Sequence, residues 1–427
     1  MTRSRAYALL ALACVAPRLG ILLHERGAIT AGYAEKSDIF AQTFVQHGTY
    51  GFLPGEPSAY TQPLYGWFLV PVYWIFGRHW LSIGLAQLVL AVVTAWLVYE
   101  IGRRIFHSDR VALLVAAIAT LHPYLAWHDM HVNREIVDQV CAAAHVLLTL
   151  MTAERPSKRL AVLTGAVAGL AMLGNTRLVF LPIVCAGYLL WRLPRTRSAA
   201  LVAVLVLAGA GVVVAPWLVR NKADVGCWAI TTDGLALWKA NNLQTYGLLT
   251  SGHWIDNVRN QPTPPPPNQF RPDDAYTLYT RHEVARAYRI YPNECAAMSF
   301  FEHKTIQFWK DHPGAKGKLM LLSAKLLWQP SVLETTGRQG KGTQLDAGRR
   351  LVEPAYMWAL YVLAAIGLFV APRSFVALAL LIFGYQTLCA FAFVGATRYR
   401  IAWDFLVALL AAAALARIGE RVKEQRA

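Results

Sequence analysis

AALVAVLVLAGAGVVVAPWL, residues 199–218, runs twenty residues without a charge. About 20 apolar residues is the length an α-helix needs to cross the hydrocarbon core of a bilayer. Segments of the same kind recur at 6–23, 81–101, 111–128, 136–152, 160–174, 177–193, 354–371, 374–394 and 401–416. The chain therefore reads as an all-α polytopic membrane protein with about ten transmembrane helices. Composition agrees: 56% of the 427 residues are hydrophobic and only 15% are charged, against about 25% charged in an average soluble domain, and the mean hydropathy is +0.36. Arg18 interrupts the first segment and no small-residue cleavage site follows it, so it is expected to persist as a helix rather than to be removed as a signal peptide.

Loop charge sets the orientation, because short cytoplasmic loops collect Lys and Arg. An inside N-terminus (Arg3, Arg5) also puts RRIFHSDR (103–110), ERPSKR (154–159), WRLPRTR (191–197), PRS (372–374) and the tail ARIGERVKEQRA (416–427) inside. Both termini are then cytoplasmic in a plasma (inner) membrane. The loops 24–62, 129–135, 175–177, 219–353 and 395–400 fall outside. This count requires the short apolar segment 63–77, opened by Pro63, to be re-entrant or interfacial rather than spanning. The net charge of +16 belongs largely to the inner loops, where anionic membrane lipids are the natural partner. No zinc finger, Walker loop or recognition-helix pattern accompanies it, which argues against nucleic acid.

Three regions follow: an N-terminal membrane bundle at 1–218 whose outer loops are 24–62 and 129–135, an outer domain at 219–353, and C-terminal membrane helices with a cytoplasmic tail at 354–427. The outer domain is expected to be mixed. Alternating residues before Asp233-Gly234 permit a short strand and turn, PTPPPPNQ (262–269) is a polyproline-type spacer, and YTLYTRHEVARAYRIY (276–291) has helical spacing behind Asp273 and Asp274. Two further helices are expected, through MSFFEHKTIQFWK (298–310), stopping near His312-Pro313, and through KGKLMLLSAKLLWQP (316–330). Cys227 and Cys295 share this domain; they either form a disulfide, as an oxidising compartment allows, or are two unrelated thiols. Cys14, Cys141, Cys185 and Cys389 lie in apolar spans as small packing residues.

Polar groups at the outer boundary carry the chemistry. The first outer loop, EKSDIFAQTFVQHGTYGF (35–52), holds Glu35 and Asp38, and the second, HPYLAWHDMHVNREIVDQ (122–139), crowds His122, His128, Asp129, His131, Arg134 and Glu135 together. Such density of ionisable groups is expensive at a membrane edge unless it is solvated or used. His128, Asp129 and His131 allow a divalent metal, since i and i+3 share a helix face, although they complete no compact ligand set; the alternative is a solvated loop. Arg177, Arg220, Arg398 and Arg400 face outward where positive-inside bias disfavours them, and Arg suits bidentate contact with a phosphate. Snorkelling at a helix end is the competing explanation.

Taken in order, HGTYGF (47–52), AYTQPLYGWFLVPVYWIFG (59–77), IGRRIF (101–106), HPYLAWHDMHVNREI (122–136), APWLVRNKADVGCWAITTDG (215–234) and TRYRIAW (397–403) resemble the GT-C glycosyltransferases of family 39, the bacterial relatives of protein O-mannosyltransferase and aminoarabinose transferase. The resemblance implies a GT-C bundle that moves a sugar from a polyprenyl-phosphate donor to an acceptor hydroxyl on the outer face, with inversion. It implies Asp38 as general base, with Glu35 as its rival because relatives carry an Asp-Glu doublet there. Glu135 or Asp129 would position a sugar. Arg220, Arg398 and Arg400 would hold the phosphate, with Gln62 beside it where relatives have Lys, and Arg134 close by. A transporter or flippase of lipid-linked sugar is the reading from another class, and it would show pseudo-symmetric halves that this chain lacks.

Overall fold

The computed structural model describes residues 3–31, 36–194, 196–264, 293–331 and 344–424. Glu35, most of the proline-rich spacer and the helix expected at 276–291 lie outside the described residues. Each expected span is helical: α1 (Arg3–Glu25), α4 (Trp80–Phe106), α5 (Asp109–Thr120) with α6 (Pro123–His128), α7 (Glu135–Glu154), α8 (Lys158–Gly174), α9 (Leu181–Arg192), α10 (Arg197–Asp224), α15 (Gln344–Val370), α16 (Arg373–Ala392) and α18 (Asp404–Glu424). Between them lie α2 (Lys36–His47), α3 (Pro63–Phe76) and α17 (Thr397–Arg400). Seven of the helical segments are long and apolar enough to cross a membrane; those led by α5, α8 and α9 are shorter.

The expected span 111–128 is a broken helix. Pro123 cannot donate to the preceding turn, and the His122 ring accepts from the backbone N–H groups of Tyr124 (3.2 Å) and Leu125 (3.4 Å), so α6 starts afresh with its own cap. The segment opened by Pro63 is a helix of 14 residues, about 21 Å long at 1.5 Å per residue, too short for a core of about 30 Å. Its last turn leaves Trp74, Ile75 and Phe76 exposed, as a helix touching lipid would.

Small residues set the closest approaches. Gly165 and Gly169 of α8 face the backbone of Val206 and Ala210 on α10, and Gly209 of α10 faces that of Val162. A Cβ at any of the three has no room, the small-residue packing by which membrane helices gain dispersion contacts. Polar contacts join helix ends in two groups. At one end Arg104 pairs with Glu154 (2.6 Å), Tyr7 donates to Glu100 (2.8 Å) and Tyr188 to the Ser374 carbonyl (3.2 Å). At the other, Gln62 donates to Thr176 (3.1 Å), Arg177 to the Val394 carbonyl (3.0 Å) and Arg220 to the Ser58 carbonyl (2.9 Å).

The large segment after α10 holds α11 (Gly234–Lys239), α12 (Thr245–Thr250), α13 (Glu294–Asp311) and α14 (Pro313–Trp328). The last two break at His312-Pro313 as expected. The short strand before Asp233 is not formed, and among the described residues the chain has no strand, only an isolated bridge between Leu53 and Glu56. Residues 229–232 instead bond to α10 and to the first outer loop: Asn221 donates to the Ala229 carbonyl (2.7 Å), Trp217 to that of Ile230 (2.8 Å), Thr231 to that of Tyr60 (2.8 Å), and the Thr232 N–H to that of Ala59 (2.9 Å). Asp233 then caps α11 through Ala236 N (3.1 Å). The described part of the outer segment is therefore helical rather than mixed. The Cys227 and Cys295 sulfurs are bonded, with Cα atoms 5.9 Å apart.

Candidate active site

Glu135 is the first residue of α7, where the helix dipole favours negative charge. It is buried and lies 3.2 Å from His128 Nε2. The amide of Asn133 reaches His128 Nδ1 at 3.3 Å; with that nitrogen accepting, Nε2 carries the proton and donates to Glu135. Tyr124 stacks on the His128 ring at 4.6 Å between centroids. Arg134 donates to Gln62 Oε1 (2.6 Å), and Gln62 in turn donates to Thr176 (3.1 Å), so one glutamine ties the first outer loop to the second and to the start of α9's connection.

Three guanidinium groups gather here. Arg177 lies over the Tyr399 ring at 3.3 Å, and Arg398 donates to the Tyr399 hydroxyl at 2.9 Å. The charges of Arg398, Arg177 and Arg134 all act on Tyr399, and those of Arg398 and Arg134 on Glu135. Beside them Arg349 of α15 spans Asp346 (2.7 Å) and Glu353 (2.8 Å), with its guanidinium 4.8 Å from the ring centres of both Tyr124 and Trp127. Among the residues singled out in the sequence, the structure thus assembles Glu135, Arg134, Gln62, Arg398, His128 and Arg177. It adds Tyr399 and Arg349.

The other expected residues sit elsewhere. Asp38, 1% exposed in the first turn of α2, is not brought onto Arg398 or Arg400; its cation is Arg78, bonded through Nη2 (2.8 Å) and Nε (3.0 Å). Tyr73 donates to the same carboxylate at 2.6 Å and Gln42 at 3.3 Å. Burial works against the Arg78 charge, but the Asp38 carboxylate outweighs it and raises the guanidinium pKa. Asp129 is buried against Arg18 of α1 (2.7 and 2.9 Å) and accepts from Gln139 (2.8 Å). Arg400 is fully buried on Asp404 (2.7 Å) and the carbonyl of Leu327 (2.8 Å). Arg220 gives its donors to the carbonyls of Tyr50 (3.0 Å) and Ser58 (2.9 Å) and to Asp224 (3.1 Å). Both arginines are struts as they stand, with their N–H groups taken up by the protein.

His128, Asp129 and His131 do not act as a ligand set. The helix ends at His128, so the i, i+3 relation is lost, and the three side chains turn to Glu135, Arg18 and the Trp127 carbonyl respectively. Among the described residues no group of three or more His, Cys, Asp or Glu is placed to hold a metal ion.

Residues 57–219 match the family model described as dolichyl-phosphate-mannose-protein mannosyltransferase. Over 99% of its length the chain superposes on archaeal oligosaccharyltransferase AglB from Archaeoglobus fulgidus, in complex with an inhibitory peptide and a dolichol-phosphate, with TM-score 0.56 and 12% identity. The chain has the GT-C fold. A second structure of the Archaeoglobus fulgidus oligosaccharyltransferase, tethered to an acceptor peptide with the NVT sequon, gives TM-score 0.56 at 11% identity over 99% of this chain and 50% of that one. ArnT from Cupriavidus metallidurans bound to undecaprenyl phosphate gives 0.41 at 15% identity, over 97% of this chain and 79% of that one. The chain spans about half the length of the oligosaccharyltransferase it matches, 51% in the first case. No curated protein matches it by sequence.

Arg78, Tyr73 and Tyr399 escaped the sequence reading although a signal was there for Tyr399 and Arg78. Tyr399 stands between the two arginines of TRYR, and Arg78 follows the glycine that ends the proline-led helix.

Proposed function

We propose that this GT-C protein is an integral membrane glycosyltransferase that moves a sugar from a polyprenyl-phosphate donor to an acceptor hydroxyl on the outer face of the membrane. The observation that carries the reading is the convergence of Arg134, Arg177 and Arg398 on Tyr399 and Glu135 at one end of the bundle. An anionic leaving group at the bilayer surface needs such fixed positive charge as the bond to it breaks, and a lipid phosphate is the anion found at that depth. Two supports lie outside the site: the mannosyltransferase match over residues 57–219 and the fold shared with a protein whose structure holds a dolichol-phosphate. The loops around the arginines form the outer face, with 1–218 and 354–427 as membrane regions, 219–353 as outer domain and both termini cytoplasmic.

In this reading the acceptor oxygen attacks the anomeric carbon and the sugar–phosphate bond breaks on the opposite side, inverting the centre. The electron pair leaves with the phosphate, which Arg398, Arg177 and Arg134 hold, and the hydroxyl proton goes to Asp38. Asp38 takes this role only when the clamp of Arg78 and Tyr73 opens, because both carboxylate oxygens are engaged at rest. The His128–Glu135 pair orients the sugar from the second loop.

Purified protein given labelled polyprenyl-phosphate sugar should release free polyprenyl phosphate, and Arg398→Gln should reduce that release by about 10²-fold, the order expected for one lost transition-state contact. Asp38→Asn should abolish transfer while donor binding persists. If Asp38→Asn transfers normally and Glu135→Gln does not, the base lies in the second loop. Movement of labelled lipid between leaflets with no release of polyprenyl phosphate would make the protein a transporter instead.

A further inference from the structure

We propose that Glu294, the first residue of α13 in the outer domain, is a positioning residue that sets the first outer loop in register with Arg134. Its two carboxylate oxygens accept from the Ser58 hydroxyl, from the Ala59 N–H (3.0 Å) and from Thr232 (2.8 Å). The same loop has further bonds: Arg220 binds the Tyr50 and Ser58 carbonyls, and residues 231 and 232 bind those of Tyr60 and Ala59. Three residues on from Ala59 comes Gln62, which places Arg134 through a 2.6 Å bond. The order of contact is Glu294, loop 58–59, Gln62, Arg134. The disulfide at the neighbouring Cys295 pins this helix start to the end of α10, so Glu294 reaches the loop from a fixed point. A carboxylate with several donors on it and little room to move is how outer-shell groups hold a site in register.

This inference rests on the glycosyltransferase reading in one respect, that Arg134 belongs to the donor site. Glu294→Ala should then raise KM for a polyprenyl-phosphate sugar by about tenfold while kcat stays within about threefold, the split expected when binding geometry rather than chemistry is lost. Glu294→Gln keeps one acceptor for Ala59 N–H and a donor for a hydroxyl, and should restore KM to within about threefold. Ser58→Ala, which removes one of the three bonds, covers the case in which Glu294→Ala does not fold and should give the same split at smaller size. Amide hydrogen exchange supplies a second readout: in Glu294→Ala, residues 57–62 should exchange faster while 136–154 keep their protection. Unchanged donor KM with unchanged exchange at 57–62 overturns the proposal. Should the wild-type protein transfer no sugar at all, the functional reading fails, and the exchange at 57–62 still decides whether Glu294 holds the loop.

Discussion

Arg18, a charge inside the first apolar segment, has a task in the fold. It is 2% exposed and bonds Asp129, the Thr120 carbonyl and the Cys14 carbonyl, tying α1 to α5 and to the turn before α7. A buried pair adds little net stability but is costly to break, about 3–5 kcal/mol when one partner is removed. Arg18→Met should lower the melting temperature in detergent sharply, and adding Asp129→Leu should recover much of the loss; no recovery would show that the charge pair is not the source. His131 offers a pH test. Burial holds its ring well below the ordinary value, at about 4, with Nδ1 donating to the Trp127 carbonyl at 2.9 Å. An unfolded histidine takes up its proton near pH 6.5, so the neutral ring's stabilisation is complete above that pH and drains away as pH falls toward 4. At pH 5 the loss is on the order of 2 kcal/mol. The melting temperature of the wild type should drop more between pH 7 and pH 5 than that of His131→Gln, and parallel drops would remove His131 as the cause.

At the scale of elements, the sequence was most informative where one physical requirement acts alone. Spans need only length and apolarity, so the ten segments are mostly helical and, among the described residues, seven are long and apolar enough to cross a membrane, and Pro313 marked the break between α13 and α14 without help from packing. The misses came where partners distant in sequence decide. The segment 229–232 has strand-like alternation, yet among the described residues no second strand comes to it; its hydrogen bonds go to Asn221, Trp217 and the 59–60 loop. Arg400 and Arg220 were read as open cations because a sequence shows charge but not which carbonyls lie within reach. Asp38 was legible as the one Asp of its loop, with Glu35 as rival, whereas its pairing with Arg78 depends on how α3 turns back into α4. Close helix approach makes its own test. Gly165→Leu should separate α8 from α10 and lower stability by several kcal/mol, as overpacking with no space to relax does, while the same change at Gly187, which has open space around it, should be near neutral. Comparable losses at both sites would refute the packing argument.

For the whole molecule, the two groups of helix ends make sidedness measurable. Single cysteines introduced as Ser157→Cys and Gln261→Cys in a background without the free thiols should react on opposite sides with an impermeant reagent, and equal labelling would overturn the orientation. The Cys227–Cys295 bond joins residues 68 apart in sequence, a closure that model chain entropy values at roughly 4 kcal/mol. It also makes the intervening stretch, proline tract included, a ring that leaves and rejoins the rest of the protein at one point. A protease cut anywhere in that ring would leave a single covalent molecule, which would run as two fragments only after reduction, so the chain could be severed there and still keep the helices before and after it leashed together.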